Sequence, residues 1–506
     1  MQPMAARSFG GLIVWRHATN LLGIQNAANN ANQLYNIQQS GPNSNAIARA
    51  TTPNGNGTVP QATLDTLGNI LAACVDSANT ANSATAPTEA GASSQCYTLF
   101  ENATTNGIPY GTTGHGTVPT DIATAAFNIA HYPAGASADT AAVMTALWAI
   151  QASGPIPYTP DLTAQPNDFT ITIGFTGGGL GPTHGISPHS VAVDTSGNIY
   201  TANYTSNELN IFTPLGVPLT GSPFSGNGLN GPDSVAVDST SSYVWIANLG
   251  STSLSRFTTS GTTESNYPLG SGNSISDAEI DGSGNIWATT VTPTAYLVKL
   301  NSSGTVVAGG GDTYLTEPGS LAIEPTTGDV WAANRGEFVD AIGNYGYHAT
   351  MYSGTTATPS PGSAPGLGGI NGPVGSAIDS NGYIWFANSN STVTALKTAT
   401  TIVTGSPFTI GYTNDGIAID GADNVWVTNT NGAGGVCELT NAGAAISPTA
   451  GYTATDPDGI AIDISGNVWY DSTKTTGTLY ELVGAATPVV TPLSYAVANS
   501  KLGTKP

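Results

Sequence analysis

A single pattern recurs seven times in the second two-thirds of the chain, and it constrains the fold more than any composition figure does. Each copy runs small, apolar, alanine, apolar, acid. A Gly/Asn turn follows, then an apolar-aromatic run ending in Asn or a small polar residue. The copies read SVAVDTSGNIYTAN, SVAVDSTSSYVWIAN, DAEIDGSGNIWATT, SLAIEPTTGDVWAAN, GSAIDSNGYIWFAN, GIAIDGADNVWVTN and GIAIDISGNVWYDS. Their acids are Asp194, Asp238, Asp281, Glu324, Asp379, Asp420 and Asp463, at intervals of 44, 43, 43, 55, 41 and 43 residues. Six of the eight tryptophans fill one repeat position: Trp245, Trp287, Trp331, Trp385, Trp426 and Trp469. Tyr200 fills it in the first copy.

Stretches such as VAVD and NIWAT are β-branched and aromatic and bounded by turn residues, the code of short strands rather than helices. A third strand follows in LNIFT, LSRFT, YLVKL and LYELV, and a fourth, irregular one around GSPF at residues 221–224 and 405–408. Four short strands per repeat make one blade, so the sequence predicts an all-β seven-bladed β-propeller over residues 169–506, preceded by a small α-helical domain. A propeller must close its ring. The tail TPVVTPL carries Pro488 and Pro492, which suits an edge or no strand. FTITIGFT, residues 169–176, alternates apolar and small polar residues and is expected to supply the outer strand of the last blade.

Residues 1–153 read as helices: ATLDTLGNILAACV, PTDIATAAFNIAHY and SADTAAVMTALWAIQ are Ala-rich, with Thr, Ser or Asp near their starts. GPIPYTPDLTAQP marks a proline-rich linker over residues 154–168. Of the three cysteines, Cys74 and Cys96 are expected to form a disulfide across a polar loop, the alternative being two buried thiols. Cys437 is expected to pack as a small hydrophobe.

With 10 Lys plus Arg against 32 Asp plus Glu, the net charge is −22. A chain so poor in cations is not built for nucleic acid or for anionic membranes. No run approaches the roughly 18 apolar residues of a membrane span. Only 8% of residues are charged, a composition that suits an extracellular or cell-surface bacterial protein. GGLIVW near the N-terminus is too short for a signal-peptide core, so an export signal is expected to have been removed or to lie upstream of Met1.

The copies resemble NHL-type repeats; PDGIAIDISGNVW is close to that unit. The blade rhythm is also similar to that of the virginiamycin B lyase group, and the whole chain resembles large secreted NHL-propeller proteins with a Cys-containing helical segment ahead of the propeller. The resemblance spans roughly residues 169–484. It implies the propeller fold. For the lyases it would imply a His general base and a carboxylate-bound magnesium. Here Asn388 and Asn429 stand where the lyase strand WFTE has its Glu, and no His-x-Glu pair lies on a channel-facing strand, so that site does not carry over.

An acid needed in seven copies is read as structural, its carboxylate accepting turn N–H groups. The terminal Asn is read as a turn or inter-blade hydrogen-bonding residue. Residues that differ between copies are better site candidates. Five positions before the repeat acid stand His189, Asp233, Ser276, Gly319, Val374, Asp415 and Asp458, with Asp277 one position later in the third copy. In a closed ring His189, Asp233, Asp277, Asp415 and Asp458 form an arc near one channel mouth. Asp233, Asp277, Asp415 and Asp458 are candidate ligands for a divalent cation, calcium or magnesium, against a plain reading as turn chemistry. Glu279 replaces an alanine found in the other six copies. In SDAEIDGSGNIW it helps imitate a calcium loop, but position 12 of that loop is Ala288. The long fourth interval holds Arg335, Tyr345, Tyr347 and His348, expected on a projecting loop that grips a sugar or partner, or else in an extended hairpin. The leading functional reading is a non-enzymatic binding or scaffold protein for a glycan, peptide or protein. The alternative is a metal-assisted lyase or lactone hydrolase at the channel mouth.

Overall fold

The computed structural model describes residues 20–35, 46–77, 94–180, 188–270, 274–291, 295–311, 314–339, 345–360, 365–411, 414–430, 434–472 and 477–506. Of residues 188–190, 310, 311, 338, 339, 345 and 360 the backbone alone is described. GGLIVW and most of the polar loop between the cysteines lie outside these residues.

Seven antiparallel sheets form the ring, one per repeat. The innermost strands are Pro188–Val193, Pro232–Val237, Ile275–Ile280, Pro318–Ile323, Pro373–Ile378, Asn414–Ile419 and Pro457–Ile462. Each pairs with the aromatic strand of its own repeat, and a third and fourth strand lie outside it.

The repeat acid explains the local code. Asp281 Oδ1 accepts from the N–H groups of Ser283 and Asn285, both at 2.9 Å, and its Oδ2 accepts from Trp287 Nε1 at 3.0 Å. Asp379 with Trp385 and Asp463 with Trp469 repeat the arrangement at 3.0 Å, and Asp420 with Trp426 at 3.3 Å. In the first blade the Tyr200 hydroxyl donates to Asp194 Oδ2 at 2.9 Å. In all five the aromatic residue stands six positions after the acid. In the other two it stands seven after, and Asp238 and Glu324 hold turn groups of Thr240 and Thr326.

The terminal Asn ties hairpin to ring, as expected. Asn248 Nδ2 donates to the Ser253 carbonyl, and its Oδ1 accepts from Asn230 N, which lies in the connection from the preceding blade. The recurring GSPF has a similar logic. Proline brings no N–H, and the serine Oγ accepts from the third strand instead: Ser222 from Ile211 N and Ser406 from Ala395 N, both at 3.0 Å.

The ring closes as the alternation in residues 169–176 predicts. Thr172–Phe175 pairs antiparallel with Leu479–Leu482, with Thr172 opposite Leu482 and Phe175 opposite Leu479. The sequence did not reveal a fifth strand on this blade, Gly57–Thr58, which adds to Gly174 and Phe175. Gly57 is required by close approach: a Cβ there would lie 2.9 Å from Phe175 Cε1.

Five helices precede the ring: α1 (Leu21–Leu34), α2 (Gln61–Ser77), α3 (Gln95–Asn102), α4 (Ile122–His131) and α5 (Thr140–Ser153). Ser94 caps α3 through Tyr97 N, and Asp121 caps α4 through Thr124 N. The expected Cys74–Cys96 disulfide joins α2 to α3. One apolar cluster runs from these helices into the last blade, uniting Leu34, Leu64, Leu67, Ile70 and Leu147 with Ile173, Phe175 and Trp469. The proline-rich segment is bound to α2, where Tyr158 exchanges two hydrogen bonds with Asn69. Cys437 is buried, as expected, and accepts from Asn429 Nδ2.

The tail forms no strand. It crosses the end of the ring where the repeat acids lie, and carries a short helix, α6 (Leu493–Ala498). Thr487 N donates to Asp420 Oδ2, Thr491 Oγ1 to the Asp194 carbonyl and Ser494 Oγ to the Val237 carbonyl. Val490, Ala496, Val497 and Leu502 pack against the innermost residues Leu321, Ile323 and Ile378.

Removing the acid–indole link tests this account. Asp379→Ala deprives two turn N–H groups and the Trp385 indole of a fully buried acceptor. It is expected to cost about 2–4 kcal/mol in urea unfolding followed by tryptophan fluorescence. Asp238→Ala, at a more exposed turn, is expected to cost under about 1 kcal/mol.

Candidate functional site

The innermost strands surround a central cavity of about 400 Å³. Its wall carries a belt of Ala192, Ala236, Glu279, Ala322, Ala377, Ala418 and Ala461, so the alanine position of the repeat is the lumen position. Residues 489–503 of the tail form its floor. At the opposite end stand Asp233, Ser276, Asp277, Gly319, Val374, Asp415 and Asp458. The channel is therefore a cup with a closed floor and a mouth lined by the residues that differ between blades.

A shared backbone device builds this mouth. Every innermost strand has a register shift at its start, between Pro188 and Val191, Pro232 and Ser234, Ile275 and Asp277, Pro318 and Ser320, Pro373 and Gly375, Asn414 and Ile417, and Pro457 and Ile460. Such bulges leave a residue out of the ladder and re-aim its side chain. The position five before the repeat acid falls within every one of them.

Asp233, Asp277, Glu279, Asp415 and Asp458 all line the cavity, at separate positions of its wall. His189 lies at the corresponding place in the first blade, but its side chain is outside the described residues. The acids are not equivalent. Asp277 is buried; Oδ2 accepts from Leu321 N of the next blade at 2.7 Å and Oδ1 from Ala278 N at 2.9 Å. Burial pushes its carboxyl up to about 6 against these bonds, with the Asp233 charge adding to the rise. Glu279 points into an alanine-lined lumen; burial and then the Asp277 charge hold it well above the usual carboxylate range. Asp458 is raised well above that range by burial, by the charges of Asp415 and Asp471, and by a hydrogen bond with Asp415. Two carboxyl groups that share a hydrogen bond hold a proton between them.

Asp471 is a member of this group that the sequence reading missed. It is buried behind Gly459, whose N–H it accepts at 2.7 Å, and burial together with the Asp415 charge raises it strongly. A signal was present. The sister residues are Ala202, Ala247, Thr289, Ala333, Ala387 and Thr428, so Asp471 breaks the repeat as Glu279 does.

The long fourth interval is an extended hairpin of Val330–Val339 and Tyr345–Tyr352, rising on the mouth side. Arg335 is exposed and reaches the cavity rim, and Tyr347 is half-buried. The backbone of Tyr345 lies in the hairpin, and its side chain is outside the described residues. His348 corrects the expectation of a gripping loop residue. It is buried within the sheet, where Nε2 meets the Tyr314 carbonyl at 2.7 Å and Asn334 Nδ2 at 3.3 Å.

Among the described residues no three His, Cys, Asp or Glu side chains converge as a ligand set for a metal ion. The mouth acids are separate wall positions, and they do not fit the magnesium site that the lyase resemblance would imply.

No family model matches the chain, and no curated protein does. Solved structures similar to it include a streptogramin B lyase, at 16% identity and a TM-score of 0.47, covering 60% of this chain and 95% of that one. Another is virginiamycin B lyase from Staphylococcus aureus, at 16% and 0.47, covering 60% and 97%. A third is a catalytically inactive form of the Staphylococcus aureus lyase with quinupristin, at 14% and 0.42, again covering 60% and 97%. These belong to the propeller group that the repeat resembles. At such identities no activity passes from them to this chain.

The raised carboxyl of Asp277 has a definite signature in pH. Below about 4 an unfolded aspartate is protonated, as the folded one is; above that the folded state binds more protons. Stability from this group is therefore full below about 4 and is lost as the pH rises through the folded value of about 6. Glu279, facing it, acts in the same direction. Melting temperature is expected to fall between about pH 5 and pH 8, and the fall to be shallower in Asp277→Asn, checked by calorimetry across that range.

Proposed function

We propose that this is an extracellular binding protein, secreted or held at the cell surface, which takes part of a glycan, peptide or protein partner into the mouth of its blind channel. The observation that supports this most is the segregation of residue types along the channel. The floor end is built from repeated residues whose hydrogen bonds stay inside the protein, and it is covered by the tail. The other end gathers the departures from the repeat: Asp233, Asp277, Asp415, Asp458 and the Arg335 hairpin, around the mouth of the cavity. A concave site with apolar walls and a few convergent polar groups is the general form of a ligand pocket. The disulfide and the sparse charge support the extracellular setting. Among the described residues no helix is long and apolar enough to cross a membrane.

One feature favours an enzyme at the same mouth. The Asp458 carboxyl, raised by burial and hydrogen-bonded to Asp415, is the kind of group that general acid–base chemistry uses. A lyase or lactone hydrolase reading would show turnover of a lactone panel that Asp458→Asn abolishes. Binding without turnover favours the first reading.

Filling the lumen tests where the ligand sits. Ala377→Phe places a ring in open cavity and is expected to leave the fold intact. It should abolish binding of any ligand found by glycan, peptide or small-molecule screening. Thr326→Phe, exposed on the opposite face, should leave binding unchanged. Retained binding in Ala377→Phe would place the partner elsewhere on the molecule.

A further inference from the structure

We infer that α1 is a clasp across the place where the last blade meets the first, and that a proton on Glu481 holds it shut. Acid fastens the clasp and a rising pH loosens it. The inference does not depend on what the channel binds.

α1 rests on the turns of both blades. Its N-cap, Asn20, donates through Nδ2 to the Ile464 carbonyl at 2.7 Å, in the turn that follows Asp463. A Cβ on Gly23 would lie 2.6 Å from that same oxygen. A Cβ on Gly197, in the matching turn of the first blade, would lie 3.2 Å from Asn26 Nδ2. Little apolar surface holds the helix there. It buries Gly23, Asn26, Ala27, Asn30, Gln33 and Leu34, of which Ala27 and Leu34 alone are apolar side chains. An element docked through so few apolar contacts opens more readily than the blades beneath it.

The polar contact under its middle sets it apart. Asn30 Nδ2 donates to Glu481 Oε1 at 2.6 Å, and both residues are buried. Glu481 stands opposite Trp469, on the third strand of the last blade. The same place opposite the repeat aromatic holds Ile211, Arg256, Lys299, Met351 and Ala395 in the first five blades. The third blade shows how a charge fits there, with Lys299 Nζ 3.4 Å from Asp281 Oδ2. The last blade instead sets a carboxyl near a carboxyl, Glu481 near Asp463. In the sixth blade Glu438 is also an acid, but Asn424 Nδ2 and the Tyr452 hydroxyl satisfy its two oxygens at 3.1 and 3.0 Å. Glu481 Oε2 has no hydrogen-bond partner among the described residues, which leaves the Asn30 bond from α1 to its other oxygen.

An ionised Glu481 would be a buried charge with one donor and a second acid nearby, so the closed clasp keeps it protonated. Burial, and then the Asp463 charge, raise it well above the usual carboxylate range against the Asn30 bond. Among the described residues Asp463 is the one charged group that bears on it. α1 carries no titratable side chain, and Trp469 and Ile173 flank Glu481 in the sheet. With α1 lifted, the carboxyl meets water and returns toward its ordinary value of about 4.3. Above that pH the closed form binds more protons than the open one. The clasp is therefore at full strength below about pH 4. It weakens by up to about tenfold per pH unit above that, until the raised value is passed.

The test is amide hydrogen exchange of the full chain, read by mass spectrometry from pH 5 to pH 8 and expressed as protection relative to the intrinsic rate at each pH. The α1 amides are expected to be less protected than the strands Pro318–Ile323 and Val330–Val339 of the fourth blade, and to lose about tenfold or more of their protection across the range. Glu481→Gln keeps an acceptor for Asn30 and cannot ionise. In that variant α1 protection should stay level with pH and exceed the parent's at pH 8 by about tenfold or more, with the fourth blade as in the parent. Asn30→Ala, which alters the helix and leaves the blades as they are, should lower α1 protection at pH 5 by about tenfold and leave the fourth blade unchanged. Equal α1 protection at pH 5 and pH 8 in the parent overturns the inference, as does an undiminished fall in Glu481→Gln. Full α1 protection in Asn30→Ala at pH 5 also overturns it. So does exchange of α1 and the fourth blade at one common protection, which marks opening of the whole molecule.

Discussion

Each blade depends on one small arrangement: a carboxylate at the end of the innermost strand that accepts two N–H groups of the following turn and, in five blades, the polar hydrogen of an aromatic residue on the next strand. It stiffens the hairpin nearest the axis. It also fixes a large side chain where that chain must fill the space beside its blade: Trp287, Trp385, Trp426 and Trp469 are fully buried. Acid and aromatic therefore recur together because they are two ends of one contact. The same contact explains how so many carboxylates enter an interior with so few cations. Their compensation is backbone N–H and indole, and an ion pair such as that of Lys299 with Asp281 is an addition rather than a requirement.

Much of this was legible in the sequence because propeller contacts are local and repeated. Seven copies at nearly constant spacing specify seven hairpins, and the clean alternation in residues 169–176 marks the closing strand. What was not legible lacks both properties. Gly57–Thr58 is too short for any pattern, and its partner lies more than a hundred residues away. The tail has no periodicity to read, and its role as a floor is set by hydrogen bonds to carbonyls of Asp194 and Val237. At the mouth the cavity-lining acids Asp233, Asp277, Glu279, Asp415 and Asp458 stand out in the sequence because they depart from the repeat. Asp471 departs from the repeat as well, but on the second strand, where a change from alanine or threonine carries no sign of which side of the blade it faces. His348 went astray for the opposite reason: a long interval suggests a loop, whereas the extra residues lengthen two strands and bury the ring between them.

Acids occupy both ends of the channel, and they meet different neighbours there. At the floor Asp281 is met by turn, indole and ammonium donors and is held below its usual range. At the mouth Asp458 and Asp471 sit beside other acids and are driven far the other way. Burial raises carboxyls at both ends, Asp379, Asp420 and Asp463 among them, and what differs is the company: donors surround the acids at the floor, and other acids stand beside those at the mouth.

The last blade is assembled from three parts of the chain: residues 57–58, residues 172–175 and residues 457–482. This gives the molecule an order of assembly. During synthesis six blades can emerge and pair internally while the ring stays open, because the strands that complete it are made last and dock onto a strand made before any blade. The helical region is then more than an appendage. It holds the waiting strand in place, and for most of the time the ribosome is at work that strand is an unpaired edge in search of a partner.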